Sequence, residues 1–229
     1  PNGNTDMSDK NILINYDNAF SLNRIGTNYQ VEGGKSLTIG LEYKGVHEKR
    51  GEIFDFKIGN ILSDKKKNKM PTKSKLNQTR SDIFGNLNYK VNKNIDLGYS
   101  FSYDRDLDYS NMEGLNLNLT VNNIYTNFYY YTEDNDLGNK ENVKNYTSYN
   151  FDQENKFGFE MTKDLKDDFT QYYNLIYSYT TDCISISVNY NKSFYRDGNL
   201  EPNKSISFLI KIIPFSEFGI SNFERLVGQ

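Results

Sequence analysis

The residue types that usually do chemistry are sparse in this chain and poorly spaced for it. His47 is the only histidine and Cys183 the only cysteine among 229 residues. A zinc centre needs three or four His, Cys or carboxylate ligands at short spacings, and a nucleophilic triad needs a base beside its nucleophile. A single His with no second His or Cys near it supplies neither, so His47 reads as a solvated turn residue. One thiol allows no internal disulfide. No Ser-His-Asp set and no phosphate-binding glycine loop is present. Asp and Glu total 30, but they are scattered, and no pair is marked out for acid–base work. Asn-x-Ser/Thr triplets begin at Asn77, Asn118, Asn145, Asn191 and Asn203, as chance allows in an Asn-rich chain. The basic run Lys65–Lys69 either meets a phosphate-bearing ligand or is simply a solvated face. The expectation is a protein that is not an enzyme and that uses no metal or cofactor.

Composition narrows the class further. Apolar residues make up 36% and the mean hydropathy is -0.76, values that on their own suggest a disordered or very soluble chain. Aromatics at 15%, with 19 Tyr and 15 Phe against 4 Pro, argue against disorder. Abundant Tyr with few prolines is a β-protein profile. The formal net charge of -3 argues against a dedicated nucleic-acid binder. No apolar run approaches the ~18 residues of a membrane helix, but a barrel strand shows only alternate residues to lipid and stays low in average hydropathy.

The elements that must position any functional residue are strands, because the dominant signal has period two. Ile95, Leu97, Tyr99, Phe101 and Tyr103 alternate with Asp96, Gly98, Ser100, Ser102 and Asp104. The same alternation recurs at 36–43, 115–121, 157–162, 184–191 and 205–212, with weaker strands near 53–61, 83–91, 124–131, 143–151 and 169–180. About eleven strands result, several near the ~9–11 residues that a tilted membrane strand requires. The strands near Ile124 and Phe169 carry Tyr on both faces, which leaves their orientation open.

Connections are expected to alternate in length. Tight links at 92–94, 122–123, 152–155 and 181–182 interleave with longer charged ones at 104–111, 133–142, 163–168 and 196–203, and the 20-odd residues after Ile61 join the long set. Short turns on one side and long loops on the other are the habit of outer-membrane barrels. The fold class expected is therefore all-β, an antiparallel transmembrane β-barrel present in part. Eleven is odd, bacterial single-chain barrels are even, and an open edge in lipid leaves backbone groups unpaired. Residues 1–229 are accordingly expected to be the C-terminal segment of a larger barrel domain, with earlier strands upstream of Pro1. A soluble β-sandwich, a passive porin or substrate-specific transporter barrel, and a barrel lipase or protease remain as other possibilities.

Three stretches carry a family resemblance. Asn15–Gly34 reads NYDNAFSLNRIGTNYQVEGG, with Phe20, Leu22, Asn23, Arg24, Glu32, Gly33 and Gly34 as the matching positions. Tyr172–Tyr195 resembles a late hairpin with an Asp-Cys turn, and Asp197–Pro214 resembles a C-terminal hairpin. Together they resemble the LPS-assembly proteins (LptD, formerly OstA) in an alphaproteobacteria-like form. That resemblance implies a barrel of roughly two dozen strands in the bacterial outer membrane, filled by an LptE-like plug lipoprotein and preceded by a periplasmic jellyroll domain. It further implies delivery of lipopolysaccharide by periplasmic bridge components and its release sideways through a gate between first and last strands, among outer-membrane lipids.

The resemblance also assigns roles. Asp96, Ser100, Ser102, Asp104, Asn116, Asn118, Ser185, Ser187 and Asn189 are expected to face a lumen that passes sugar head groups; ordinary solvation of a barrel interior is the plainer alternative. Ser205, Ile206, Ser207, Phe208 and Ile210 belong to the strand expected to form one side of the gate, and Pro214 just beyond it limits pairing there. Asn23, Arg24, Glu32, Gly33 and Gly34 belong to a loop that either folds into the lumen or over the gate, or lies on the surface. Cys183 is expected to bond a cysteine of the periplasmic domain, once at most because Ile184 stands where many members have a second Cys; a free thiol is the alternative.

Overall fold

The computed structural model describes residues 14–21, 24, 33–70, 72, 75–134, 139–194 and 202–212. The expectations placed on Leu22, Asn23, Glu32, Tyr195, residues 196–201 and Pro214 lie outside the described residues. Eleven strands run in chain order: β1 (Ser36–His47), β2 (Gly51–Ser63), β3 (Ile83–Asn92), β4 (Ile95–Tyr103), β5 (Ser110–Val121), β6 (Ile124–Glu133), β7 (Lys140–Asn150), β8 (Asn155–Asp164), β9 (Phe169–Thr180), β10 (Ile184–Ser193) and β11 (Asn203–Ile212). They form one sheet in sequential order, with β1 and β11 at its edges. The fold is all-β and antiparallel, as the alternating stripes require. Among the described residues one short helix, α1 (Tyr16–Ala19), precedes the strands. Among the described residues no helix is long and apolar enough to cross a membrane, which says nothing of crossing by strands.

Strand length and register follow from the stripes. β4 has 9 residues and β2 has 13. Thr38 pairs with Ile61, Gly40 with Gly59 and Glu42 with Lys57, so the residues opposite each other share a face. Across β3 and β4, Phe84 stands opposite Ser102, Asn86 opposite Ser100 and Asn88 opposite Gly98. The polar set of each strand therefore meets the polar set of its neighbour.

Contacts divide the chain into two compact units, residues 1–117 with 129–141, and 118–128 with 142–229. In the first unit a small core gathers Ile14, Ala19, Ile61, Met70, Leu76 and Phe84, with Tyr16 against it. Ile61 and Phe84 come from the polar face, so this core is built on the side where the strand pattern shows few apolar residues. α1 is held over it by a reciprocal cap. Asn18 N–H donates to Asn15 Oδ1 at 3.0 Å, and Asn15 N–H donates to Asn18 Oδ1 at 2.9 Å. The connection 64–82 turns back along β2, with Ser63 N–H to Thr79 O at 2.8 Å and Ser81 N–H to Ile61 O at 2.9 Å. These bonds hold the far end of the connection against β2.

One expected connection is corrected. The 163–168 link is no longer than its neighbour: β8 runs to Asp164 and β9 starts at Phe169, leaving 165–168 against 151–154. Lys163 and Asp164 look like loop residues by charge but continue the ladder opposite Val143 and Asn142. Asp164 Oδ1 then accepts from Asp167 N–H at 3.2 Å, tightening the turn. Elsewhere the alternation stands, with 93–94, 122–123 and 181–183 short and 64–82, 104–109, 134–139 and 194–202 longer.

Candidate functional site

The polar face of the first unit carries a ladder of opposite charges. Glu42 and Lys44 project from β1, Asp55 and Lys57 from β2. Lys44 Nζ lies 3.0 Å from Glu42 Oε1, and Lys57 Nζ lies 3.7 Å from that same oxygen and 3.3 Å from Asp55 Oδ2. Lys57 also stands 5.7 Å from the Tyr16 ring centre. Arg24 reaches this face of β1, donating to Thr38 Oγ1 at 3.2 Å and Ser36 Oγ at 2.5 Å. Thr38 Oγ1 donates in turn to Ala19 O at 3.2 Å. Arg24 and the end of α1 thus meet the polar face of β1. Gly34, two residues before β1, adopts φ 87°, a conformation that glycine takes at little cost.

The polar residues expected on β4 and β5 come together with those neighbours. Asp96 stands opposite Lys90. A Cβ on Gly114 would meet Ser100 Oγ at 2.5 Å, and one on Gly98 would meet Asn116 Cβ at 3.4 Å. Ser102 is fully buried and donates to Asp82 Oδ2 at 3.4 Å. Asp104 lies just past β4 and shapes a turn: its Oδ1 accepts from Asp108 N–H at 2.8 Å and its Oδ2 from Asp106 N–H at 3.3 Å. Burial pushes its carboxyl up, but the backbone donors from Asp108, Tyr109 and Asp106 outweigh this and hold it below the ordinary value.

The second unit repeats the arrangement. Asn118 Oδ1 accepts from Tyr125 Oη at 3.0 Å and Asn127 Nδ2 at 2.7 Å, which fixes the orientation of β6. Ser185 pairs with Thr180 at 2.9 Å and Ser187 with Ser178 at 3.1 Å, hydroxyl to hydroxyl. Asn189 stands opposite Ser207, and Asn191 opposite Ser205. Its centre is Glu160, whose Oε1 meets Lys144 Nζ at 2.9 Å and Tyr172 Oη at 3.0 Å while Oε2 accepts from Asn174 Nδ2 at 3.0 Å. The sequence reading passed over Glu160 and Lys144; a carboxylate and an amine at inward positions of neighbouring strands were the available signal. Near the short-link end, Asn123, Asn150, Gln153, Glu154, Ser178 and Thr180 help line a polar recess of about 570 Å³.

The opposite face is apolar and open. Leu37, Ile39 and Leu41 of β1 are 59, 52 and 61% exposed, and Ile206, Phe208 and Ile210 of β11 are 62, 72 and 54% exposed. A soluble domain would bury such stripes. The separation of faces is not complete in the first unit: Asn60 of β2 stands opposite Ile39 and donates to Ser81 O at 2.9 Å, and Glu113 rises on the apolar side of β5, where Tyr99 Oη and Tyr103 Oη donate to it at 2.8 and 2.6 Å. Two hydroxyls next to the 104–109 link solvate that carboxylate locally.

Cys183 is exposed in the 181–183 link, where Thr181 Oγ1 accepts from Cys183 N–H at 3.4 Å and Ile184 N–H at 3.2 Å. Among the described residues, no group of three or more His, Cys, Asp or Glu is arranged to hold a metal ion.

Residues 3–112 match a family model described as LPS transport system D, LptD. That span holds the Asn15–Gly34 stretch and all of β1 to β4, while Tyr172–Tyr195 and Asp197–Pro214 fall beyond it. No curated protein matches the chain.

Proposed function

We propose, from the premise that this chain belongs to the LptD family, that it forms part of an outer-membrane barrel that inserts lipopolysaccharide into the outer leaflet. Residues 1–229 are read as the C-terminal segment of that barrel domain. The observation that carries the reading is the division of faces: open apolar stripes on one side, and hydrogen-bonded hydroxyls, amides and ion pairs on the other. A lipid with a large glycan and several acyl chains needs such a division. Its sugars exchange water for polar partners on one side while its chains stay in hydrocarbon, so neither part bears the cost of crossing the wrong medium.

On this reading Asp96, Ser100, Asn116, Asn118, Ser185, Ser187 and Asn189 line the head-group route. β11 forms one side of the lateral gate, because it is a sheet edge whose apolar stripe stays exposed. Arg24 bonds the route's side of β1 and narrows the route there, and Gly33 and Gly34 lead into that strand. Lys65, Lys66 and Lys67 in the 64–82 connection contact lipopolysaccharide phosphates on this reading. Directionality comes from outside the chain, through periplasmic bridge proteins, with an LptE-like lipoprotein inside the barrel. The chain itself acts as a conduit and not as a catalyst.

The test uses photo-crosslinking residues at Ser187, Ser205 and Ser207, one at a time, in the full-length protein in cells, with Leu117 on the apolar face as control. Lipopolysaccharide adducts at the serines and none at Leu117 are expected. No adducts at the serines, together with ion conductance by the purified barrel, would overturn the reading in favour of a porin.

A further inference from the structure

The apolar face of the first unit sinks between β2 and β5 into a groove of about 370 Å³, walled by Phe54, Leu87, Tyr89, Leu97, Tyr99 and Leu115. Register explains its shape. Phe54 pairs with Tyr89, and Tyr89 with Leu97, in one row; Leu87 pairs with Tyr99 in the next. The Phe54 and Tyr89 rings meet edge-on at 6.5 Å, while the Tyr99 hydroxyl is drawn off to Glu113 at 2.8 Å. What remains toward the groove is carbon.

One end of the groove faces two short connections, 48–50 and 93–94, which carry the exposed cations Lys49, Arg50 and Lys93 against one carboxylate, Glu48. Glu52 lies 4.0 Å from Lys44, and Lys90 stands opposite Asp96 on the polar face. The two connections are joined: Arg50 Nη1 donates to Val91 O at 3.3 Å, which uses one of the guanidinium's five N–H groups. Val91 is two residues, roughly 7 Å of strand, from Tyr89 in the groove wall.

We infer that this groove and its cationic rim bind an anionic phospholipid, with an acyl chain along Phe54, Leu87 and Leu97 and the phosphate at Arg50 and Lys93. This rests on the proposal that the apolar face meets lipid. Within a bilayer the groove alone selects nothing, because a lipid tail is as apolar there as against the protein. Choice among lipids must come from the head group, and here the rim is positive while a diacyl lipid with net negative charge supplies the complement.

The experiment is native mass spectrometry of the full-length protein in detergent, mixed with equal amounts of phosphatidylglycerol and phosphatidylcholine of identical acyl chains. The wild type is expected to retain phosphatidylglycerol about tenfold over phosphatidylcholine. Arg50→Gln with Lys93→Gln should bring the ratio to parity, and Leu97→Trp, which fills the groove, should lower retention of both. Parity in the wild type, a preference that survives the double substitution, or full retention by Leu97→Trp would each overturn the inference. Heat-modifiable gel mobility reports folding of each variant, with the single Arg50→Gln and Lys93→Gln proteins standing in if the double variant misfolds. A wild type lacking that mobility shift would overturn the membrane reading itself.

Discussion

Asn111 Nδ2 donates to Asp82 Oδ2 at 2.6 Å, tying the second residue of β5 to the residue just before β3. Asp82 is fully buried, and its other oxygen, Oδ1, has no hydrogen-bond partner. Burial pushes its carboxyl up to about 6, against the opposing effects of Asn111, Lys75 and Ser102. Because the folded value lies above the unfolded one, the fold holds this proton more tightly than the unfolded chain does. The stability from that proton is complete below about pH 4 and is lost as pH rises through about 6. The total is up to about 3 kcal/mol. Urea midpoints of the folded protein should therefore fall between pH 4.5 and 7.5. Asp82→Asn should flatten that slope, and equal slopes in the two proteins would contradict this origin.

Phe84→Ala opens the core that joins α1, β2 and the 64–82 connection. Phe84 is fully buried against Ile14, Ile61 and Met70, so a loss of about 3–5 kcal/mol is expected. Limited proteolysis should then cut 64–82 before the strands unfold. Cleavage rates unchanged from the wild type would mean that the core does not hold the connection.

Two glycines differ in what a methyl group would meet. On Gly85 it would lie 2.3 Å from the Lys57 carbonyl oxygen and 2.7 Å from Phe101 Cζ. Backbone cannot step aside, so Gly85→Ala should cost about 1–3 kcal/mol. On Gly40 it would meet Phe20 Cζ at 2.5 Å, but Phe20 is 49% exposed and its ring can swing away. Gly40→Ala should cost less than about 1 kcal/mol. Paired urea titrations compare them, and the reverse order would refute the packing argument.

Glu160 accepts from Lys144, Tyr172 and Asn174 together. Glu160→Ala strips these donors of a shared acceptor and should destabilise by about 2 kcal/mol. Glu160→Gln keeps a carbonyl oxygen for one of them and should cost visibly less. Equal losses in thermal unfolding would assign the effect to side-chain volume instead.

Cys183 stands exposed at a three-residue link, and we propose that it bonds a cysteine of a periplasmic domain. In cells the full-length protein should migrate differently with and without reductant, and Cys183→Ser should remove the difference. Rapid labelling of Cys183 by a membrane-impermeant maleimide without reductant would show a free thiol.

Period two made the strands legible, since alternation belongs to the backbone and needs no knowledge of neighbours. The stripe Ile95–Tyr103 became β4 residue for residue. β6 and β9 were found as strands but not oriented, because Tyr suits either face; the bond from Asn127 to Asn118 orients β6, and the register of β9 with its neighbours, with the bond from Asn174 to Glu160, orients β9. Asp104 alternates with its strand yet serves the turn, since the choice between ladder and cap depends on where the chain bends. The core under α1 was not legible: Ile14, Met70 and Leu76 sit in stretches without periodicity, and nothing local says that they meet. Arg24 was singled out by resemblance, and its hold on Ser36 and Thr38 gives that position a physical reason.

The core on the polar face also orders events during folding. Its members enter from before β1, from within β2, from the 64–82 connection and from β3, so no single hairpin assembles it. Ile14 and Phe84 are brought together only after a long loop closes, an entropic toll that hairpins formed by adjacent strands avoid. Strands joined by short links are therefore expected to pair before this core packs. A nascent sheet lacking it would still be vacant along that face of β2 and β3.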